Sequence, residues 1–172
     1  MKLMHLSDLH LGKRVYEFSM YEDQKYILSQ ILDIADKEQV QAVMICGDIY
    51  DKQIPPAESV QLFDDFLTKL SKLETFVMIV SGNHDSADRL NYGGRIMELS
   101  HIYIAGVFDG TIKSVELMDE YGPVCFYLLP FIKPAMVTRY YPEVESYQDA
   151  VQAVIQGTTL DSAKRNVLVA HQ

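Results

Sequence analysis

Three short strand-like runs constrain this chain more than any other feature, because each one ends in a cluster of side chains able to bind metals. Leu3-Met4-His5-Leu6 leads into Ser7-Asp8-Leu9-His10, Ala42-Val43-Met44-Ile45-Cys46 into Gly47-Asp48-Ile49-Tyr50-Asp51, and Phe76-Val77-Met78-Ile79-Val80 into Ser81-Gly82-Asn83-His84-Asp85. Short, largely apolar runs that stop at Gly-Asp or Gly-Asn read as strands buried on both faces of a sheet. Stretches of helical period separate them. Ser19 and Glu22 have the spacing of a capping box, opening a helix that places Ile27, Ile31 and Ile34 on one face and ends near Glu38. Pro55 and Pro56 open a second helix, with Val60, Phe63, Phe66, Leu67 and Leu70 at helical spacing. Two crossovers of this length imply parallel strands, so the fold class is α/β, built from βαβ units.

The second half changes character. Candidate strands at residues 102–105, 112–117 and 125–129 follow one another through glycine-containing turns without long helices between them, and are expected to be mainly antiparallel. Ser146 and Asp149 cap a last helix over residues 150–155, and a final strand at residues 167–170 delivers His171. No internal repeat or linker divides the chain, so residues 1–172 are expected to form one domain.

Composition narrows the function classes. No apolar stretch approaches the roughly 20 residues that span a bilayer, and the N-terminus lacks the pattern of a signal peptide, which points to the cytoplasm. Cys46 and Cys125 belong to no CxxC or Cys/His cluster and read as small core residues. A net charge of -9 argues against a surface that holds nucleic acid everywhere by counterion release. Any contact with DNA must be local, aided by metals, or supplied by other segments or partners.

In a parallel α/β sheet the carboxyl ends of neighbouring strands share one edge, so the three polar clusters can converge on one site. Together with His171 they offer carboxylate, imidazole and amide oxygen, a mixture suited to manganese, iron or zinc rather than to calcium alone. Asp8 and His10 alternate with Leu9 and point the same way from an extended segment. The two oxygens of Asp48 allow it to bridge two cations, and two ions about 3.5 to 4 Å apart can activate a hydroxide and clamp a phosphoryl group. Each cluster alone is commonplace; their ordered repetition behind three strands is not.

Ser7-Asp8-Leu9-His10, Gly47-Asp48-Ile49-Tyr50-Asp51 and Gly82-Asn83-His84-Asp85 resemble the first three signatures of the calcineurin-like metallophosphoesterases. Leu9-His10-Leu11-Gly12, residues 86–90, Leu129-Pro130-Phe131-Ile132-Lys133-Pro134 and Val169-Ala170-His171-Gln172 extend the likeness to SbcD-type nucleases over the whole chain. The resemblance implies βαβ units forming a mixed β-sandwich flanked by helices. It makes Asp8 and His10 ligands of a first metal, Asp48 the bridge, and Asn83 and His171 ligands of a second, the ions being divalent and manganese foremost. It makes His84 the catalytic histidine, with Asp51 orienting its ring. Lys13, Arg14 and Arg89 lie near the motifs and are candidates for substrate phosphate.

The activity implied is manganese-dependent DNA cleavage, exonucleolytic on duplex ends and endonucleolytic on single strands or hairpins, in DNA repair and recombination. The partners implied are DNA and an SbcC-type, SMC-like ATPase, with a homodimer inside a heterotetramer; the helix carrying Val60 to Leu70 has more large apolar positions than one face of a sheet requires, which either core packing or such a dimer would use. The family pattern continues to a His-x-His segment beyond His171, so the chain is expected to be an N-terminal fragment whose metal sites each lack a ligand. Two other readings stand beside this one: a phosphodiesterase acting on nucleotides or small molecules, and a fragment that folds without catalysing anything.

Overall fold

A computed structural model describes residues 1–172. Its first sheet has the order β1-β4-β5-β6, with β1 at Leu3–Leu6, β4 at Ala42–Cys46, β5 at Phe76–Val80 and β6 at Ile102–Ala105, all parallel. Helices α1 (Tyr21–Lys37) and α2 (Ala57–Lys72) make the crossovers. Between β1 and α1 lies a small antiparallel hairpin, β2 (Arg14–Val15) and β3 (Phe18–Ser19). Short helical pieces, α3 (Ala87–Leu90), α4 (Gly94–Met97) and a 3-10 turn at Glu98–Ser100, connect β5 to β6.

The second sheet holds β7 (Lys113–Asp119), β8 (Gly122–Leu129) and β9 (Arg165–Ala170), with β7 antiparallel and β9 parallel to β8. Helices α5 (Pro134–Val137) and α6 (Tyr147–Gln156) cover its outer side.

Strand alternation explains how the layers stack. Along β4, Val43 and Ile45 join the helical core with Leu28, Phe63, Phe66 and Leu70. Ala42 and Cys46 face the other way, into a core shared with Val115, Val124, Phe126, Leu128 and Val169 of the second sheet. A third core, containing Leu129, Ile132, Val137, Ala150 and Val154, lies under α5 and α6. The order is therefore helix, sheet, sheet, helix, a sandwich flanked on both sides as the sequence implied.

Three expectations need correction. The strand at residues 102–105 is a parallel edge strand of the first sheet rather than part of an antiparallel second half. Ser19 does not form a capping box, because its backbone is paired with Arg14 in the hairpin; Met20 occupies the cap, and the Ser19 hydroxyl accepts only the Tyr21 N–H at 3.3 Å. On α1 the buried stripe contains Leu28 and Ala35 with Ile31 and Leu32 packed beside it, while Ile27 and Ile34 sit half-exposed on its flanks. The capping box at Ser146 does form: Asp149 N–H donates to the Ser146 hydroxyl at 3.2 Å and Ser146 N–H donates to the Asp149 carboxylate at 2.9 Å.

Phe126 is fully buried between the two sheets. Phe126→Ala should lower unfolding stability by about 3–5 kcal/mol, as for other large aromatic truncations in a packed core. Urea denaturation at unchanged m-value is the measurement, and a midpoint equal to wild type would show that the sheets do not depend on this contact.

Candidate metal centre

The carboxyl ends of β1, β4 and β5 lie side by side, and β9 brings a fourth segment to the same edge. The loops after β1 and β4 are zipped together: Asp8 N–H donates to the Gly47 carbonyl (3.2 Å), His10 N–H to Asp48 (2.9 Å), Leu11 N–H to Ile49 (2.8 Å), and Asp51 N–H back to Leu11 (3.1 Å). This path forces left-handed backbone at Asp8 (φ 56°), His10 (φ 43°) and Asp48 (φ 50°), so Asp8-Leu9-His10 is not the extended segment expected from the sequence, because its N–H groups are drawn onto the loop after β4. Non-glycine residues hold that conformation only against a cost of about 1 kcal/mol or more each, and such strain gathers at functional sites. Gly47 and Gly82 are required for another reason: a Cβ at Gly47 would strike the His171 ring, and one at Gly82 the Asp48 carboxylate.

Two groups of donor atoms result, His10/Asp48/His84 and Asp8/Asp48/His171, each with its atoms within 4.8 Å of one another. Asp48 belongs to both, and its side chain is 4% exposed. His10 Nε2 lies 3.7 Å from Asp8 Oδ1 and 3.7 Å from Asp48 Oδ2; His171 Nε2 lies 3.6 Å from Asp48 Oδ2. His84 Nε2 stands 4.0 Å from the same oxygen, while its backbone N–H donates to Asp48 Oδ1 at 2.9 Å.

The donor set fits divalent cations. His171 Nδ1–H donates to the Cys46 carbonyl (2.9 Å), so in the neutral ring the lone pair of Nε2 points at Asn83 Oδ1 (3.2 Å) and Asp48 Oδ2, acceptor against acceptor. A cation relieves that opposition, and a histidine fixed through its other nitrogen is the usual form of a metal ligand. Metal–ligand bonds of about 2.0–2.2 Å place two ligands of one ion about 3 to 4 Å apart, the range of the separations seen here. Buried His10 Nδ1 has no hydrogen-bond partner and faces Asp51 Oδ1 at 3.5 Å.

Local electrostatics agree. The Ser7 hydroxyl beside Asp8 holds its carboxyl below the ordinary value, against a smaller opposing effect of burial, and His171 and His10 act in the same lowering sense. Asp8 is therefore an anion at neutral pH. Burial pushes the Cys46 thiol up to about 11, so it stays a protonated thiol in the core between the sheets rather than a thiolate ligand.

Asp8, His10, Asp48, Asp51, Asn83, His84 and His171 are thus brought to one edge. Asp51 touches the His84 ring through its main-chain carbonyl, which accepts from Nδ1 at 3.0 Å, while its carboxylate faces His10 and lies 3.8 Å from Lys13 Nζ. The other basic candidates lie elsewhere. The Arg14 guanidinium donates to the Glu17 carbonyl inside the hairpin, and Arg89 lines a cavity of about 540 Å3 with Tyr50, Val60, Phe63 and Met97.

Sequence reasoning assigned no role to Asp85. Its buried carboxylate accepts from three main-chain donors, Ile49 N–H (3.2 Å), Tyr50 N–H (3.0 Å) and Gly82 N–H (2.9 Å), and so fastens the Asp48 loop to the Asn83 loop. Its place at the end of the Gly-Asn-His-Asp cluster, where an acid commonly ties a turn, was the available signal.

A shared buried carboxylate between two imidazole-bearing ligand groups, at the edge of a flanked sandwich, defines a class of protein. The sequence profile of the calcineurin-like phosphoesterases matches residues 1–158, and the chain belongs to that family, which implies divalent metal ions at such a centre. More particularly, it is 34% identical over 176 residues to the SbcD component of the nuclease SbcCD from Staphylococcus epidermidis and 32% identical over 176 residues to its counterpart from Staphylococcus saprophyticus. Each alignment covers 99% of this chain and 46% of the relative, so the chain spans about half the length of the curated relatives it matches.

Asp85→Ala leaves those three donors unpaired at about 1–3 kcal/mol each, enough to loosen both loops. The expected result is a lower melting temperature together with manganese affinity reduced on the order of tenfold or more by calorimetry. Unchanged metal affinity in a folded variant would separate Asp85 from the centre.

Proposed function

We propose that this chain is the metal-holding part of an SbcD-type DNA nuclease, with residues 1–172 acting as one phosphoesterase unit. The observation that carries the reading is Asp48, a buried carboxylate shared by two groups of ligands. Asp8 and His10 would hold one divalent ion, Asn83 and His171 the other, and Asp48 both, with manganese as the physiological metal; this pairing cuts across the two donor groups, in which Asp8 lies with His171 and His10 with His84. When bound, such ions supply Lewis acidity and the nucleophile for phosphodiester hydrolysis.

The remaining side chains act on protons and charge. The Asp51 carbonyl holds His84 Nδ1–H, which leaves Nε2 facing the centre; in the protonated ring that atom donates to the leaving oxygen or to a charged phosphoryl oxygen. The Asp51 carboxylate, beside His10 Nδ1, orients that ligand and keeps it electron-rich. Lys13, and Arg14 and Arg89 further out, meet flanking phosphates.

DNA is the substrate, cleaved at duplex ends and at single-stranded or hairpin regions during repair and recombination in the cytoplasm; no helix is long and apolar enough to cross a membrane. With a net charge of -9, much of the basic surface that holds DNA belongs to other parts of the assembly, an SbcC-type ATPase among them. A second copy of the chain covers the apolar surface beside α2, where Val60 is 44% and Tyr92 85% exposed around one cavity, giving a homodimer within a heterotetramer.

The full-length protein should shorten an end-labelled duplex only with manganese present. Failure on DNA combined with rapid turnover of a small aryl phosphodiester would shift the assignment to a small-molecule phosphodiesterase. His84→Ala should keep its manganese content while kcat falls about 10²- to 10⁴-fold. Calorimetry and steady-state kinetics on one preparation read both quantities, and an unchanged kcat would remove His84 from the chemistry.

A further inference from the structure

The β2–β3 hairpin is unexplained by the core or by the metal centre. At its tip Tyr16 is 95% exposed and Phe18 77% exposed, beside Val15 at 45%. Tyr16 occupies the first central position of a two-residue turn with φ 54°, where glycine, asparagine or aspartate would sit at lower cost. Neither ring stacks on another aromatic ring of the chain. The fold thus accepts backbone strain and hydration cost to present two aromatic faces to solvent.

The base of the hairpin is fixed to the ligand loop. Lys13 N–H donates to the His10 carbonyl (3.0 Å), Met20 N–H to the Lys13 carbonyl (3.1 Å), and Gln24 both accepts the Gly12 N–H (3.0 Å) and donates to the His10 carbonyl (2.7 Å). Lys13 Nζ reaches to 3.8 Å from Asp51 Oδ1 at the edge of the centre. Tyr16 follows Lys13 by three residues, a chain reach of at most about 10 Å between their Cα atoms, so the hairpin tip is tethered a short span from the ligand loop by a segment carrying Lys13 and Arg14.

Exposed aromatic faces flanked by cations beside a phosphodiesterase centre have the chemistry of a single-strand platform: the cations meet phosphates and the rings stack on bases. Paired bases inside a duplex already stack on each other and offer no free face, whereas a frayed end or a loop does. The strands of the hairpin, two residues each, are too short to template an added strand from a protein partner. We propose that Tyr16 and Phe18 stack on unpaired bases flanking the scissile phosphate of DNA and so favour frayed ends and loops over intact duplex; this rests on the proposed function.

The test uses full-length protein in the His84→Ala background, so that oligonucleotides survive in manganese, with single-stranded DNA carrying 2-aminopurine near one end and a matched duplex. The parent should quench 2-aminopurine and bind the single strand. The combined Tyr16→Ala and Phe18→Ala variant should lose quenching and weaken single-strand binding on the order of tenfold or more, with duplex binding changed less than about twofold. Tyr16→Phe with Phe18→Tyr should retain the wild-type behaviour, which separates ring stacking from loss of a hydroxyl or of folding.

Equal single-strand affinity in the alanine variant overturns the proposal. So does an equal loss for both DNAs, or a fall in kcat on a small aryl phosphodiester, measured with His84 restored, that matches the fall in binding. A defect confined to assembly with an ATPase partner also overturns it and assigns the surface to protein. Absence of any phosphodiester turnover by the wild-type protein sinks the proposed function instead, a result read in a separate arm.

Discussion

The structure depends on one buried carboxylate. Asp48 sits at the end of a central parallel strand with its side chain almost withdrawn from water, among three imidazoles and no lysine or arginine. An ionised carboxylate in such a place carries a penalty of several kcal/mol unless it is hydrogen-bonded and meets positive charge. The His84 N–H satisfies one of its oxygens; the other faces the Nε2 atoms of His10, His84 and His171. Those atoms compensate a negative oxygen only as protonated rings or as co-ligands of a cation. A cation held between His171 and Asn83 also resolves the opposition of their acceptor atoms.

Holding that carboxylate in place requires a strained edge on a stiff support. Asp8, His10 and Asp48 are left-handed, and the ladder between their loops, together with the three bonds to Asp85, over-determines the conformation. The strands behind them carry Val43, Ile45, Val77 and Ile79, all fully buried, so displacement of a loop would have to disturb a close-packed core. Gly47 and Gly82 let the segments approach within contact of His171 and Asp48. Rigid spacing of this kind is what a site needs if its ligands are to be positioned before substrate arrives.

Much of this was legible in the sequence, for a definite reason. The bounds of the strands at Ala42–Cys46 and Phe76–Val80 could be read because strands buried on both faces are continuous apolar runs cut off sharply by Gly-Asp and Ser-Gly. Strand direction in the second half was less legible: residues 102–105 look like their neighbours, and only the register against β5 makes them parallel. The hairpin escaped notice because two-residue strands carry no period. Asp85 was visible as a letter of a motif, but its role depends on which N–H groups from two distant loops end up beneath it. His171 could be expected at the edge, whereas its seat on the Cys46 carbonyl is set by how the two sheets stack.

Charge at the edge also fixes an order of events for any phosphodiester substrate. Asp8, Asp48, Asp51 and Asp85 gather there, and Lys13 is the single lysine or arginine found within 4.0 Å of any of these carboxylates. A polyanion approaching this surface without cations meets repulsion, which weakens on the scale of a Debye length of about 8–10 Å at ordinary salt. Each divalent ion bound there would add two positive charges and offset that repulsion. Metal occupancy and substrate affinity are therefore coupled through electrostatics, and that coupling is reciprocal: a bound phosphate must tighten the metals as much as the metals tighten the phosphate.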